Sequence, residues 1–157
     1  MPSSTRGNSL MTRKIALAAD HAGYEEKEKI KATLDELGIE YVDMGTASTD
    51  SVDYPDYARK VGEAVSSGDF EQGLLVCGSG TGMAIAANKI HGVRAAVAWS
   101  PDIARLARQH NDANVLSLPA RFMSEGDAVN VVKAWFETDF EGGRHAKRVE
   151  KITELER

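Results

Sequence analysis

Short apolar runs rich in β-formers alternate with longer amphipathic runs along most of this chain. The short runs fall at 14–19, 39–43, 73–77, 93–99 and 114–118, and each is predicted as a strand. In LLVC (74–77) and VRAAVAW (93–99) apolar residues follow one another almost without a break. That is the pattern of strands covered on both faces of a parallel sheet. The longer runs predict helices. Residues 24–37 place Ile30, Leu34 and Leu37 on one stripe, with Gly38 as the stop. Residues 54–67 place Tyr57, Ala58, Val61, Ala64 and Val65 on another. A third helix at 81–90 follows a glycine-rich loop. The fourth opens with Ser100-Pro101-Asp102, a cap followed by proline at the first helical position. A fifth covers 124–137, and a last, more polar one runs over 144–156.

Five β-α units in series, with no hairpin dipeptide between strands, predict an α/β fold. The expectation is a doubly wound, Rossmann-like, five-stranded parallel sheet in a three-layer sandwich. No internal repeat, linker or composition break divides 13–157, which is expected to form one domain. Residues 1–12 are expected to be a disordered leader, with Met11 as an alternative start. The opening MPSSTRGNSL lacks the apolar core of a secretory signal. A length of 157 residues suits one such domain.

Charge and cysteine usage narrow the class of function. A formal net charge of -5 argues against a general nucleic-acid surface, while leaving room for a local basic pocket. No apolar run approaches the roughly 18 residues needed to span a bilayer. A single cysteine cannot form an internal disulfide, which fits a reducing cytoplasm.

In doubly wound sheets ligands bind at the carboxyl ends of the strands. Here those ends offer Asp20-His21, a loop leading to Asp53-Tyr54, and Cys77-Gly78; His110-Asn111 closes the fourth helix. The segment VCGSGTG (76–82) has three glycines in five residues between a buried strand and a helix. Such a loop permits close approach to a ligand, and its free N–H groups suit an anion, although a plain tight turn reads the same way. Cys77 at this junction is either a small buried hydrophobe or a thiol whose pKa the helix N-terminus lowers. The four histidines, His21, His91, His110 and His145, match no zinc spacing, so no metal is expected. Each could be a surface or capping residue, the reading adopted for His91; His21 and His110 are better placed. Arg144 and Arg148, four apart on one helical face, form either a solvated basic face or a phosphate clamp.

Six blocks, DHAG (20–23), DYPDYA (53–58), VCGSGTGM (76–83), AANK (86–89), RQHNDANVL (108–116) and EGGRHAKRVEKI (141–152), together resemble the type B ribose-5-phosphate isomerases. The wider group includes the galactose-6-phosphate isomerase subunits. The resemblance runs from about Lys14 to the C-terminus, in order. It implies that Cys77 moves the proton between C1 and C2, and that Gly78, Ser79, Gly80, Thr81 and Gly82 stabilise the enediolate. It implies ring opening by Asp20 and His110, with Asn111 beside the latter, and a sugar site lined by Tyr54. It assigns the phosphate to His21, Arg121, Arg144 and Arg148, with Arg121 the loosest match. It further implies no cofactor and a homodimer or tetramer whose sites are shared between chains. Ser79 departs from the commoner threonine but keeps the hydroxyl. Two other readings stay open: a non-catalytic phosphate-binding module, and an isomerase of a hexose 6-phosphate.

Overall fold

The computed structural model describes residues 13–156, so the expected leader, residues 1–12, lies outside the described residues. The elements are β1 (Arg13–Ala19), α1 (Tyr24–Glu36), β2 (Ile39–Asp43), α2 (Tyr54–Ser66), β3 (Gln72–Cys77) and α3 (Thr81–Asn88). They continue with β4 (Ala95–Val97), α4 (Pro101–Asn111), β5 (Val115–Pro119), a 3₁₀ turn (Ala120–Phe122), α5 (Glu125–Phe136) and α6 (Arg144–Thr153). The sheet has five strands in the order β2-β1-β3-β5-β4, and every pairing is parallel.

The central strands β1, β3 and β5 are almost wholly buried, as their apolar runs require. Ile30 and Leu34 of α1, Ala104 of α4, and Val131 and Trp135 of α5 pack on one face. Val61 and Val65 of α2 with Met83 and Ala87 of α3 pack on the other. The expected helix signals are present: Gly38 adopts φ 72° after α1, and the Ser100 hydroxyl accepts from the Ile103 N–H at the start of α4. Among the described residues no helix is long and apolar enough to cross a membrane.

The fourth strand corrects the sequence reading. The run 93–99 yields only Ala95–Val97, half-buried rather than covered on both faces, and Trp99 is 58% exposed. Among the described residues β4 is an edge strand, paired with β5 alone. Its outer edge is closed at one point by a side chain. Asn88 donates to the carbonyl of Ala95 at 3.0 Å and accepts from the Ala95 N–H at 2.7 Å, standing in for a neighbouring strand. The last helix also ends early, at Thr153 rather than 156.

α6 lies outside both cores. Its single buried residue is His145, and Ile152 and, just beyond the helix, Leu155 are left exposed. Among the described residues little covers this strongly amphipathic helix, which is unusual in a folded domain.

Candidate active site

The carboxyl ends of β1 and β3 lie side by side, with Ala19 in register with Val76. The next residue on one strand is Asp20 and on the other Cys77. The turn after Asp20 rests directly on β3: a Cβ at Gly23 would run into the carbonyl of Val76, so only glycine lets the two backbones meet. The Asp20 carboxylate accepts from the Gly23 N–H at 2.9 Å, which holds it at this edge. Nearby, the Nδ1 atom of His21 accepts from the backbone N–H of Val52 at 3.1 Å. A neutral ring so held carries its proton on Nε2 and presents a donor. The loop between β2 and α2 is anchored from below by Lys27. Its fully buried ammonium donates to both carboxylate oxygens of Asp43, at 2.6 and 2.7 Å, and to the carbonyl of Thr46 at 2.9 Å.

Cys77 is buried, and its sulfur accepts from the Gly80 N–H at 3.0 Å. Gly80 adopts φ 78°, a left-handed conformation that turns this amide back toward the strand it has just left. The fully buried hydroxyl of Ser117 donates to the Gly80 carbonyl at 2.7 Å and pins the turn. Burial pushes the thiol pKa up, and the Asp20 carboxylate adds to this; the amides of Met83, Gly80 and Ser79 pull the other way. The net direction is upward, opposite to the lowering expected from a helix N-terminus. Desolvation of the thiolate outweighs the amide dipoles at this depth. The Gly80 amide, with those of Ser79 and of Met83 in α3 beside it, favours the thiolate against the cost of burial.

The remaining loop groups face outward. Ser79 and Thr81 are exposed, and the Ser79 hydroxyl accepts from the Thr81 N–H at 3.3 Å, leaving its own proton free to donate. The ring of Tyr54 sits against Gly82, where an added Cβ would lie 2.7 Å from the ring. Arg121, the loosest of the sequence matches, belongs here too. Its N–H donates to the Gly78 carbonyl at 2.9 Å, and its side chain passes over Gly78, 3.2 Å from where a Cβ would be. The structure thus gathers Asp20, His21, Tyr54, Cys77, Gly78, Ser79, Gly80, Thr81, Gly82 and Arg121 at the carboxyl edge of the sheet.

His110, Asn111, Arg144 and Arg148 are not among them. α4 leaves the carboxyl end of β4 and returns to the amino end of β5, so its last residues lie at the opposite edge. With 11 residues, α4 spans about 16 Å. Arg94, just before β4, confirms the placement by donating to the Asp112 carbonyl at 2.9 Å. α6 is attached at the same edge, through the Glu141 N–H to the Gln109 carbonyl at 3.1 Å and the Gly92 N–H to the Glu156 carboxylate at 2.7 Å. A cleft of about 600 Å³ opens there between the start of β4 and the end of α6, bordered by Ala95, Asn111, Ile152 and Leu155.

At this amino edge the rings of His110 and His145 stack with centroids 4.2 Å apart and planes 14° apart. Glu141 places Oε1 3.5 Å from His145 Nε2 and 4.0 Å from His110 Nε2. His145 is therefore no surface or capping histidine. Its only sequence signal was a glutamate four residues earlier. Ligand atoms of Glu141 and the two histidines lie within 4.8 Å of one another, close enough to suggest a metal. Nearly parallel rings, however, send their nitrogen lone pairs along parallel lines rather than toward one ion.

A thiol, a carboxylate and a glycine turn gathered at the carboxyl edge of a parallel sheet have the form and the place of an α/β enzyme's site. The ribose/galactose isomerase family model matches residues 15–152, and the chain belongs to that family. It is 47% identical to the ribose-5-phosphate isomerase B of Escherichia coli over 144 residues, 92% of this chain and 97% of that one. The ribose 5-phosphate isomerase of Thermotoga maritima superimposes with a TM-score of 0.88 at 51% identity, covering 92% of this chain and 99% of the other. The Mycoplasma genitalium ribose-5-phosphate isomerase B, solved with bound ribulose-5-phosphate, gives 0.88 at 40% identity over 93% and 97% of the two chains.

Proposed function

We propose that this chain, acting in the cytoplasm through the single domain 13–157, interconverts ribose 5-phosphate and ribulose 5-phosphate with Cys77 as the proton-transfer base. The observation that carries the reading is the Cys77 sulfur held by the Gly80 amide beside Asp20, within a family of sugar-phosphate isomerases. Asp20 and His110 open the furanose: one takes the proton of the anomeric hydroxyl and the other gives one to the ring oxygen. The thiolate then removes the C2 proton. Negative charge builds on O1 of the cis-enediolate, where Ser79 and the outward amides of the loop receive it. The hydroxyl proton of C2 passes to O1, and the thiol returns its proton to C1 as the carbonyl forms at C2. No electrons leave the substrate, so the cycle calls for no redox cofactor. The reading is tested by comparing rates for ribose 5-phosphate, allose 6-phosphate and galactose 6-phosphate on the purified protein. A clear preference for either hexose phosphate would replace the pentose assignment.

The working unit in this proposal is a homodimer with two shared sites. Asp20 and Cys77 stand at one edge of the sheet and His110 at the other, so one chain does not bring them together. A two-fold axis set beside β4, perpendicular to the strands, turns the carboxyl edge of each copy toward the amino edge of its partner. Ile85, Trp99, Phe122, Ile152 and Leu155, all exposed, lie toward that side and supply an apolar contact. The nearly bare α6 then gains a surface to cover, and Arg144 and Arg148 reach the partner's His21 and Arg121 around the phosphate. Replacing Arg144 or Arg148 by alanine is accordingly expected to raise KM about tenfold or more, since each charge-assisted bond to phosphate contributes about 1.5–3 kcal/mol. Steady-state kinetics on both variants check this, and an unchanged KM in both would return the pair to a solvated basic face.

A further inference from the structure

His145 is the one buried residue of an otherwise exposed helix, and what it packs against is His110. We propose that His145, together with Glu141, is a positioning residue that fixes the plane and the proton of the His110 imidazole for ring opening. The inference rests on the role given to His110 above and goes beyond it.

Stacking at 4.2 Å restricts the rotation of the His110 ring, whose own side chain is 40% exposed. The turn that supports the stack is built for it. Gly142 and Gly143 adopt φ values of 70° and 55°, the His145 N–H donates to the Gly142 carbonyl at 3.0 Å, and the Glu141 N–H ties the turn to α4. The chain thereby folds back so that the Glu141 carboxylate approaches both rings at once.

Two imidazoles at this spacing repel when both are charged. Burial, then His110 and Arg144, hold the pKa of His145 below its ordinary value, with Glu141 opposing and Arg148 adding slightly. These surroundings thereby disfavour a charge on His145 itself. The charged groups around the pair are Glu141 from the turn and Arg144 and Arg148 from α6. On α4 itself, Arg108 and Asp112 are paired with each other at 3.0 Å.

The test uses the intact protein and two variants. His145→Phe keeps a stacked ring but removes its contact with Glu141; Glu141→Gln removes the carboxylate. With only four histidines in the chain, the His110 ring resonance is identified by its loss in His110→Ala and followed through a pH titration by NMR. Freeing Glu141 to face His110 alone is expected to raise the His110 midpoint in His145→Phe. Losing the carboxylate is expected to lower it in Glu141→Gln, each by about half a pH unit or more. A purely structural role for the cluster would move neither.

The kinetic readout compares the two directions. Ribose 5-phosphate is a closed furanose, whereas ribulose 5-phosphate, its C5 oxygen blocked by phosphate, is open and needs no ring opening. Removing the stack altogether in His145→Ala is expected to slow consumption of the aldose about tenfold. Initial consumption of the ketose should change less than twofold, and the phenyl ring of His145→Phe should recover much of the aldose rate. Unmoved midpoints, or equal losses in both directions, overturn the positioning role. If His110→Ala itself leaves aldose consumption intact, the ring-opening role of His110 is what fails.

Discussion

Cys77→Ala is expected to lower kcat by about 10²–10⁴ while leaving the fold in place, the usual cost of losing a positioned general base. The fold should survive because the sulfur makes one hydrogen bond at the rim of the smaller core cluster, and alanine fits the same volume with a small void. Circular dichroism and thermal melting check the second half of that expectation, and single-turnover rates the first. A variant that keeps more than half of the wild-type kcat would remove Cys77 from the chemistry.

The same residue sets a pH dependence whose sign is fixed by its surroundings. Burial raises the thiol pKa, and in the mechanism proposed above the thiolate is the base. The active fraction therefore grows as pH rises, and the rate should still be climbing past the ordinary thiol range of about 8.5. Because Cys77 is the only cysteine of the chain, alkylation by iodoacetamide reads its ionisation without interference. The alkylation rate should follow the same rising curve as kcat/KM. A plateau below the ordinary thiol range would show that the amides of Ser79, Gly80 and Met83 outweigh desolvation after all.

Mixing two inactive proteins is expected to restore activity. If Cys77→Ala and His110→Ala subunits are dissociated and reassociated together, random pairing makes about half of the dimers hybrid. Each hybrid holds one doubly damaged site and one intact site, so about a quarter of all sites should recover. The geometry demands this outcome of any shared-site dimer: α4 carries His110 to the edge of the sheet opposite Cys77, and no short side-chain movement closes that distance. Uncatalysed ring opening leaves His110→Ala a background rate in the aldose direction, which is subtracted. Activity that stays at the additive background, with hybrids verified by mass spectrometry, would mean that Cys77 and His110 do not complete one site across the interface.

The sequence by itself determined the α/β class, the five strands and all six helices within a few residues, and the glycine turn with its cysteine. These follow from local rules: apolar runs for buried strands, stripes for helices, Ser100-Pro101 and Gly38 for helix ends. It also carried six blocks specific enough to indicate the isomerase family that the match over 15–152 bears out. Where it failed, the deciding contacts were distant in the chain. β4 reads as a covered strand because its residues are apolar, yet its position at the sheet edge leaves it half-exposed. One of the two readings of Cys77 had its pKa lowered by the helix beginning after it, but the enclosing core decided otherwise through desolvation. Arg121, 44 positions after Cys77, gave only a loose match, and the pairing of β3 with β5 is what lays it over Gly78. His145 looked like any helix-surface histidine until the turn at Gly142 and Gly143 placed it on His110. The separation of the candidate residues onto two edges is likewise tertiary. Parallel strands must be joined by helices running the other way, so residues at strand ends and residues at helix ends are sent to opposite sides of the molecule.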